Sequence, residues 1–146
     1  MRAAQLIGDE SLVERWILDK LDHTVEAVNA ALEARHFTNA TAACYDFWLY
    51  ELCDVYIVRR LSHQMSSRSS NAQEAMKPLV DESASASAKR SARATLYTCL
   101  DLGLRLLHPF MPYITEELWQ RLPRRPNDPT ETIVLAAFPL SVRLLC

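Results

Sequence analysis

Tyr45-Asp-Phe-Trp-Leu-Tyr-Glu-Leu-Cys-Asp-Val-Tyr56 sets five aromatic side chains into twelve residues. The rings recur at helical spacing, and the stretch lacks the strict alternation of a half-buried strand. It predicts one helix over Asn39 to Leu61, capped by Thr38 or Asn39. Ala40, Ala43, Phe47, Tyr50 or Leu52, and Val55 would line its inner face, with Phe37 placed to staple the first turn. Upstream, Ser11-Leu-Val-Glu14 has the form of a capping box. Val13, Trp16, Ile17, Leu21, Val25, Val28 and Leu32 then recur every three or four residues. Arg15, Asp19, Asp22, Glu26 and Glu33 fall largely on the opposite side. That predicts an amphipathic helix ending near Arg35-His36, and the short connection that follows favours an antiparallel hairpin.

Downstream of the aromatic stretch the pattern breaks. Ser62 to Ser91 is serine-rich; Ser62–Ala72 reads as a mobile loop and Gln73–Val80 as a short helical piece interrupted at Pro78. A third helix should begin between Ser83 and Ser91 and end at His108. Leu96, Cys99, Leu100, Gly103, Leu106 and Leu107 give its apolar face. A glycine inside a helix costs about 1 kcal/mol, so Gly103 implies close approach of a neighbour. Pro109 and Pro112 stop this helix. Thr115 should open a fourth helix through Leu122, with Glu116 and Glu117 in the first turn, where the dipole favours acids. Thr132–Phe138 is strand-like but without a partner, so it is expected as an extended arm across the bundle. The expected core is Trp16, Ile17, Leu21, Phe47, Leu52, Val55, Leu96, Leu100, Leu107, Phe110, Ile114 and Leu118.

The whole chain supports this reading. Its 146 residues are 49% hydrophobic and 23% charged, with only two glycines, a balance that fits one helical globular domain. The fold class is therefore all-α: an antiparallel bundle of about four helices, with a long Ser-rich loop and an extended C-terminal arm. The net charge of −2 gives no global basic field, so any RNA contact must come from local clusters. Cys44, Cys53, Cys99 and Cys146 show no Cys-x-x-Cys pairing; the first three sit in helical apolar patterns and read as buried free thiols of a reducing compartment. No apolar run reaches membrane-span length, and the N-terminus is too short in apolar residues for a secretory signal. Cytoplasm is the expected location.

The sequence has no recognisable active site. Two isolated glycines cannot form a phosphate loop. His23, His36, His63 and His108 lie on separate elements without metal-ligand spacing. Glu116 and Glu117 point about 100° apart on a helix and do not form a catalytic pair. No serine occupies a Gly-x-Ser-x-Gly elbow. Two features could serve RNA. Phe47, Trp48, Tyr50 and Tyr56 could stack unpaired bases, although an aromatic stripe is more often core, and Trp48 divides evenly between the two roles. Basic residues cluster at Arg59-Arg60, at Lys89-Arg90 with Arg93, and at Arg121 with Arg124-Arg125. Each can hold phosphate, or can be ordinary helix-end charge at Arg59, Arg60 and Arg121.

The aromatic stretch, Ser11-Leu-Val-Glu-Arg-Trp-Ile17 and His108-Pro-Phe-Met-Pro-Tyr-Ile-Thr-Glu-Glu-Leu-Trp119 together resemble the anticodon-binding domain of valyl-tRNA synthetases, a class I family. The resemblance runs from about Ser11 to Phe138, and Thr95-Leu-Tyr-Thr-Cys-Leu-Asp101 is similar to the cytosolic eukaryotic type. It implies a helical bundle that grips the anticodon stem and loop of valine-acceptor tRNA; the basic clusters make Lys89, Arg93, Arg121, Arg124 and Arg125 the expected contacts, with Trp48 as a stacking candidate. It also implies that catalysis, with ATP and magnesium, belongs to a separate domain bearing HIGH and KMSKS motifs, neither of which occurs here. The implied partners are tRNA and that catalytic domain, with no role for membrane or DNA. Residues 1–10 and 140–146 read as tails of a domain over 11–139. Within it, 58–75 stands out as an insertion or retained intron, because the family runs almost directly from the Tyr56 position to a Lys-Pro matched here by Lys77-Pro78. The family's preceding contact helix has no counterpart in the ten residues before Ser11. The expected product is a synthetase piece cut at both ends; the alternatives are a helical protein-interaction module without tRNA binding, or a non-functional fragment.

Overall fold

A computed structural model describes residues 10–57, 85–123 and 130–140. Among these residues the chain is helical and contains no strand. Helix α1 spans Leu12–Glu33. Ser11 caps it in the expected box: the Ser11 N–H donates to Glu14 Oε2 at 2.8 Å, and the Glu14 N–H donates to Ser11 Oγ at 3.4 Å. Glu14 is buried, and its Oε2 also accepts the Ser91 hydroxyl at 2.9 Å. One carboxylate thus caps α1 and ties it to the helix packed beside it.

Helix α1 ends in a Schellman turn. The His36 N–H donates to Ala31 O at 2.7 Å and the Arg35 N–H to Leu32 O at 3.0 Å. The residue between needs the left-handed region, and Arg35 takes it at φ 60°. An L side chain there costs roughly 1–2 kcal/mol relative to glycine. The turn reverses the chain into α2 (Phe37–Asp46), which gives the expected hairpin. The start of α2 differs from the sequence expectation. His36 occupies the cap position, no side chain caps the end, and Phe37 is 60% exposed, so neither the Thr38/Asn39 cap nor the Phe37 staple forms.

The aromatic stretch does not continue as an α-helix. Phe47–Ile57 winds as a π-helix. The wider turn puts Phe47, Leu52 and Tyr56 inward, spaced five and four apart, and all three are buried. Tyr50 is 52% exposed, so Leu52 rather than Tyr50 lines the inner face. The expected end of this helix at Leu61, the Ser62–Ala72 loop, the Gln73–Val80 piece and the whole 58–75 insertion lie outside the described residues.

Helix α3 (Ala86–Leu107) begins at a Ser85 cap, whose hydroxyl accepts the Ala88 N–H at 3.2 Å. Helix α4 (Pro112–Arg121) follows. It begins three residues before Thr115, with Pro112 in the first turn, where a missing N–H costs nothing. Glu116 and Glu117 therefore sit beyond the first turn, and their partners are local: Glu117 holds Arg121, and Glu116 reaches the C-terminal arm. Ile114 and Leu118, expected in the core, are 46% and 43% exposed.

The main core joins Ile17, Leu18, Leu21, Val25 and Val28 of α1 to Ala40, Cys44, Phe47, Leu52, Tyr56, Cys99 and Leu106. Trp16, Leu96, Leu100, Leu107 and Phe110 pack on it partly buried. A second cluster, Leu104, Trp119 and Ile133, seals the arm against α3 and α4. The arm runs across the bundle as expected, with one 3-10 turn at Ile133–Leu135 in place of a strand. The Ile133 N–H donates to Glu116 Oε2 at 3.0 Å, Gln120 Nε2 donates to Glu131 O at 2.6 Å, and Asn29 Nδ2 donates to Pro139 O at 3.0 Å.

Candidate nucleic-acid interface

Three cations stand in the first two turns of α3: Lys89, Arg90 and Arg93. Lys89 and Arg93 are four residues apart and share a side; Arg90 and Arg93 are exposed and Lys89 is half-buried. The N-terminal end of a helix carries partial positive charge, so the dipole does not explain cations here. The bundle concentrates positive charge at this point although its net charge is −2. Side chains so placed can hold phosphate, which composition alone does not show.

Arg121 lies at the C-terminal end of α4, where the dipole does favour it. Its guanidinium donates to Glu117 Oε1 at 2.6 Å. Both side chains are largely exposed, so the pair contributes at most about 1 kcal/mol and a phosphate can replace the carboxylate. The structure therefore separates Arg121 from the α3 cluster by element and by partner. Arg124, Arg125, Arg59 and Arg60 lie outside the described residues.

Trp48 is half-buried against both core clusters. Its indole N–H donates to Gly103 O at 3.3 Å. A Cβ on Gly103 would stand 3.0 Å from Trp48 Cζ2 and 3.2 Å from Cε2. The glycine is thus explained as expected, by close approach of a neighbour. The half-buried residue also lines an open groove of about 540 Å³. Thr38, Tyr45, Asp46, Phe110 and Met111 form other parts of that wall. Phe47 and Tyr56 are core residues and present no ring to solvent.

The end of α3 is fixed by a polar network. Asp101 is buried and accepts Arg105 Nε on Oδ1 and Nη2 on Oδ2, both at 3.1 Å, and the Trp119 indole N–H on Oδ1 at 2.9 Å. One carboxylate thereby joins α3 to α4, and Arg105 reaches on to Ala137 O of the arm at 3.4 Å. At the following turn, the Thr115 hydroxyl donates to Met111 O at 2.7 Å. It must then accept from His108 Nδ1, also at 2.7 Å, which places the imidazole proton on Nδ1.

None of these groups forms a reactive constellation. Among the described residues no three His, Cys, Asp or Glu side chains converge to hold a metal ion. Burial pushes the Cys44 thiol up to about 11 and the Cys99 thiol up to about 12, so neither supplies a thiolate nucleophile at neutral pH. Cys44, Cys53 and Cys99 are free thiols, and Cys53 is half-buried rather than buried. No helix among the described residues is long and apolar enough to cross a membrane.

Sequence reasoning named Tyr50 as a stacking candidate but missed its pairing with Tyr45. Tyr45 and Tyr50 are 58% and 52% exposed and meet edge to face, ring centroids 6.1 Å apart at 83°. On an α-helix residues five apart diverge by about 140°. The π-helical turn brings them together, and the only signal was the five-residue spacing, which means nothing until the π winding is known.

Comparison with known proteins bears directly on this arrangement. A family model described as the anticodon-binding domain of tRNA ligase matches residues 14–144. The chain is 50% identical over 139 residues to the valine–tRNA ligase of Schizosaccharomyces pombe, covering 95% of this chain and 12% of that protein. It is 47% identical over 137 residues to the mitochondrial valine–tRNA ligase of Saccharomyces cerevisiae, covering 94% and 11%. The human valine–tRNA ligase is 45% identical over 132 residues, covering 90% and 9%. The chain thus spans about a tenth of the length of the curated relatives it matches.

Proposed function

The chain belongs to the family of anticodon-binding domains of tRNA ligases, and on that premise we propose that it binds the anticodon stem and loop of a tRNA as one part of valine–tRNA ligation. The observation that carries the reading is the family match over residues 14–144. The basic start of α3 supports it. Valine-acceptor tRNA is the proposed cognate partner, from the names of the relatives. Formation of valyl-tRNA, with its ATP and magnesium, is assigned to the catalytic domain of the ligase, and this bundle contributes hold and orientation. The proposed site of action is the cytoplasm.

Binding rests on Lys89 and Arg93 together, on Arg121 released from Glu117, and on Arg124 and Arg125. Trp48 offers only the part that its packing leaves exposed. Phosphate contacts of this kind position an RNA without reading its sequence. Each one lost should lower the salt dependence of log K by about 0.7–0.9. The test is nitrocellulose-filter binding of tRNA at graded salt to wild type, to Lys89→Glu/Arg93→Glu and to Arg124→Glu/Arg125→Glu. The reading expects weaker binding and a shallower slope in both variants. Unchanged affinity in both would remove it.

The exposed apolar side of α4 favours a second reading. Met111, Tyr113, Ile114 and Leu118 are 49%, 91%, 46% and 43% exposed, and such a surface suits a helical protein contact. Salt-independent capture of a protein partner, with no tRNA retention, would select it.

A further inference from the structure

Two ion pairs of the same kind stand on successive helices and differ in burial. On α3, Asp101 accepts Nε and Nη2 of Arg105, both at 3.1 Å, and the two side chains are 3% and 16% exposed. On α4, Glu117 Oε1 accepts Nε of Arg121 at 3.0 Å and Nη2 at 2.6 Å, and the two side chains are 61% and 73% exposed. In each pair the acid stands four residues before the arginine, the favourable order along a helix. Taking Arg105 from Asp101 would strand a buried charge, so that pair is fixed. Taking Arg121 from Glu117 strands nothing, because water solvates the freed carboxylate. The backbone of α4 need not move in that exchange. The two residues before Arg121 are anchored: Trp119 Nε1 donates to Asp101 Oδ1 at 2.9 Å, and Gln120 Nε2 to Glu131 O at 2.6 Å. Glu116, the neighbouring acid, is committed elsewhere, with Oε1 accepting from Gln120 and Oε2 from the Ile133 N–H. Glu117 is therefore the acid that governs what Arg121 can take.

We propose that Glu117 is an intramolecular competitor for RNA phosphate at Arg121, an autoinhibitory contact that limits how tightly this chain holds tRNA. This rests on the tRNA-binding reading above and names how one of its contacts is regulated. The Nε and Nη2 groups form an edge on which a guanidinium receives the oxygens of a carboxylate or of a phosphate. Glu117 covers that edge in the free chain, so a phosphate gains Arg121 only by displacing it. Once displaced, the carboxylate stays one helical turn from the incoming anion and repels it. Both effects oppose binding, and removing the one carboxylate ends both. Arg105 gives the contrast: its carboxylate is buried with it, so no phosphate can take the place of Asp101.

The test is filter binding of tRNA to the whole chain from about 50 to 200 mM salt, in wild type, Glu117→Gln, Arg121→Gln and the double variant. Glu117→Gln should bind about two- to fivefold tighter, the range that an exposed ion pair allows. Arg121→Gln should bind more weakly, with a slope of log K against log salt shallower by about 0.7–0.9. In the Arg121→Gln background the gain from Glu117→Gln should be lost, because the contact that it frees no longer exists. Thermal melts establish that the variants are folded. An equal gain in both backgrounds would overturn the competitor, since it would report only one acid fewer on the chain. Unchanged or weaker binding by Glu117→Gln, with Arg121→Gln impaired, would overturn it and leave Arg121 as a contact. Arg121→Gln at wild-type affinity and slope, alongside weaker binding by Lys89→Glu/Arg93→Glu, would overturn it and leave tRNA binding standing. A wild-type chain that retains no tRNA at low salt would remove both.

Discussion

Replacing Gly103 by alanine sets two effects of opposite sign against each other. Alanine in a helix interior is favoured over glycine by about 1 kcal/mol, so an unobstructed site would gain stability. Here the new methyl would stand 3.0 Å from Trp48 Cζ2 and 3.2 Å from Cε2, whereas carbon atoms in contact settle at about 3.5–4.0 Å. The indole would have to retreat by roughly half an ångström. It is half-buried against two core clusters and anchored to Gly103 O at 3.3 Å. Overpacking costs about 1–3 kcal/mol, and straining a hydrogen bond with a net value of about 1 kcal/mol adds to that. The steric side wins, and Gly103→Ala should destabilise by about 1–2 kcal/mol, or roughly 2–8 °C in Tm. The control is the same substitution in a Trp48→Phe background, where the shorter ring removes the obstacle. There alanine should be neutral or stabilising. Urea unfolding of the four proteins closes a double-mutant cycle. A Gly103→Ala variant more stable than its parent, with Trp48 present, would refute the reasoning.

Three further outcomes follow from the geometry. Arg35→Gly should stabilise the chain by about 0.5–1 kcal/mol in chemical denaturation, because φ 60° strains an L residue and glycine gives back part of the gain in the unfolded chain; destabilisation would contradict the turn described. Asp101→Ala should cost about 3 kcal/mol or more, against about 1 kcal/mol for Ser11→Ala, because the first leaves Arg105 and Trp119 without their acceptor and the second removes one helix cap. Equal midpoints for the two would contradict that ranking. In the native protein Cys53 should react with a thiol reagent well before Cys44 and Cys99, and stability should be unaffected by these two thiols below pH 9.0. It should then fall as pH rises toward 11–12, since burial raises both values and the unfolded chain loses these protons first. Equal labelling rates at pH 8 would contradict it.

The fold was largely legible because its signals are local. The capping box at Ser11 and Glu14, the apolar repeat through Val28 and the glycine at 103 each state their own geometry. Helix starts without a capping side chain were misplaced: α2 begins at Phe37 and α4 at Pro112, with no Ser, Thr, Asp or Asn to mark either end. The π winding was illegible: a 3.6-residue template sets Tyr56 about 180° from Phe47 and puts Val55 inside instead, whereas the π turn buries Phe47, Leu52 and Tyr56 and leaves Val55 half-buried. Ile114 and Leu118 were assigned to the core on hydrophobicity alone, yet α4 turns Thr115 and Trp119 inward, since Thr115 closes the turn with His108 and Trp119 must reach Asp101. At the candidate interface the cations were visible in the sequence. The Tyr45–Tyr50 pair was not, because it exists only through the π turn.

The most direct measurement is retention of tRNA by this chain at salt concentrations from about 50 to 200 mM, with duplex DNA of equal charge as the comparator. The account predicts that tRNA is held at low salt with a steep linear loss in log K, and more tightly than the DNA. No retention of tRNA at the lowest salt by a chain that melts cooperatively, or equal retention of DNA, would contradict it.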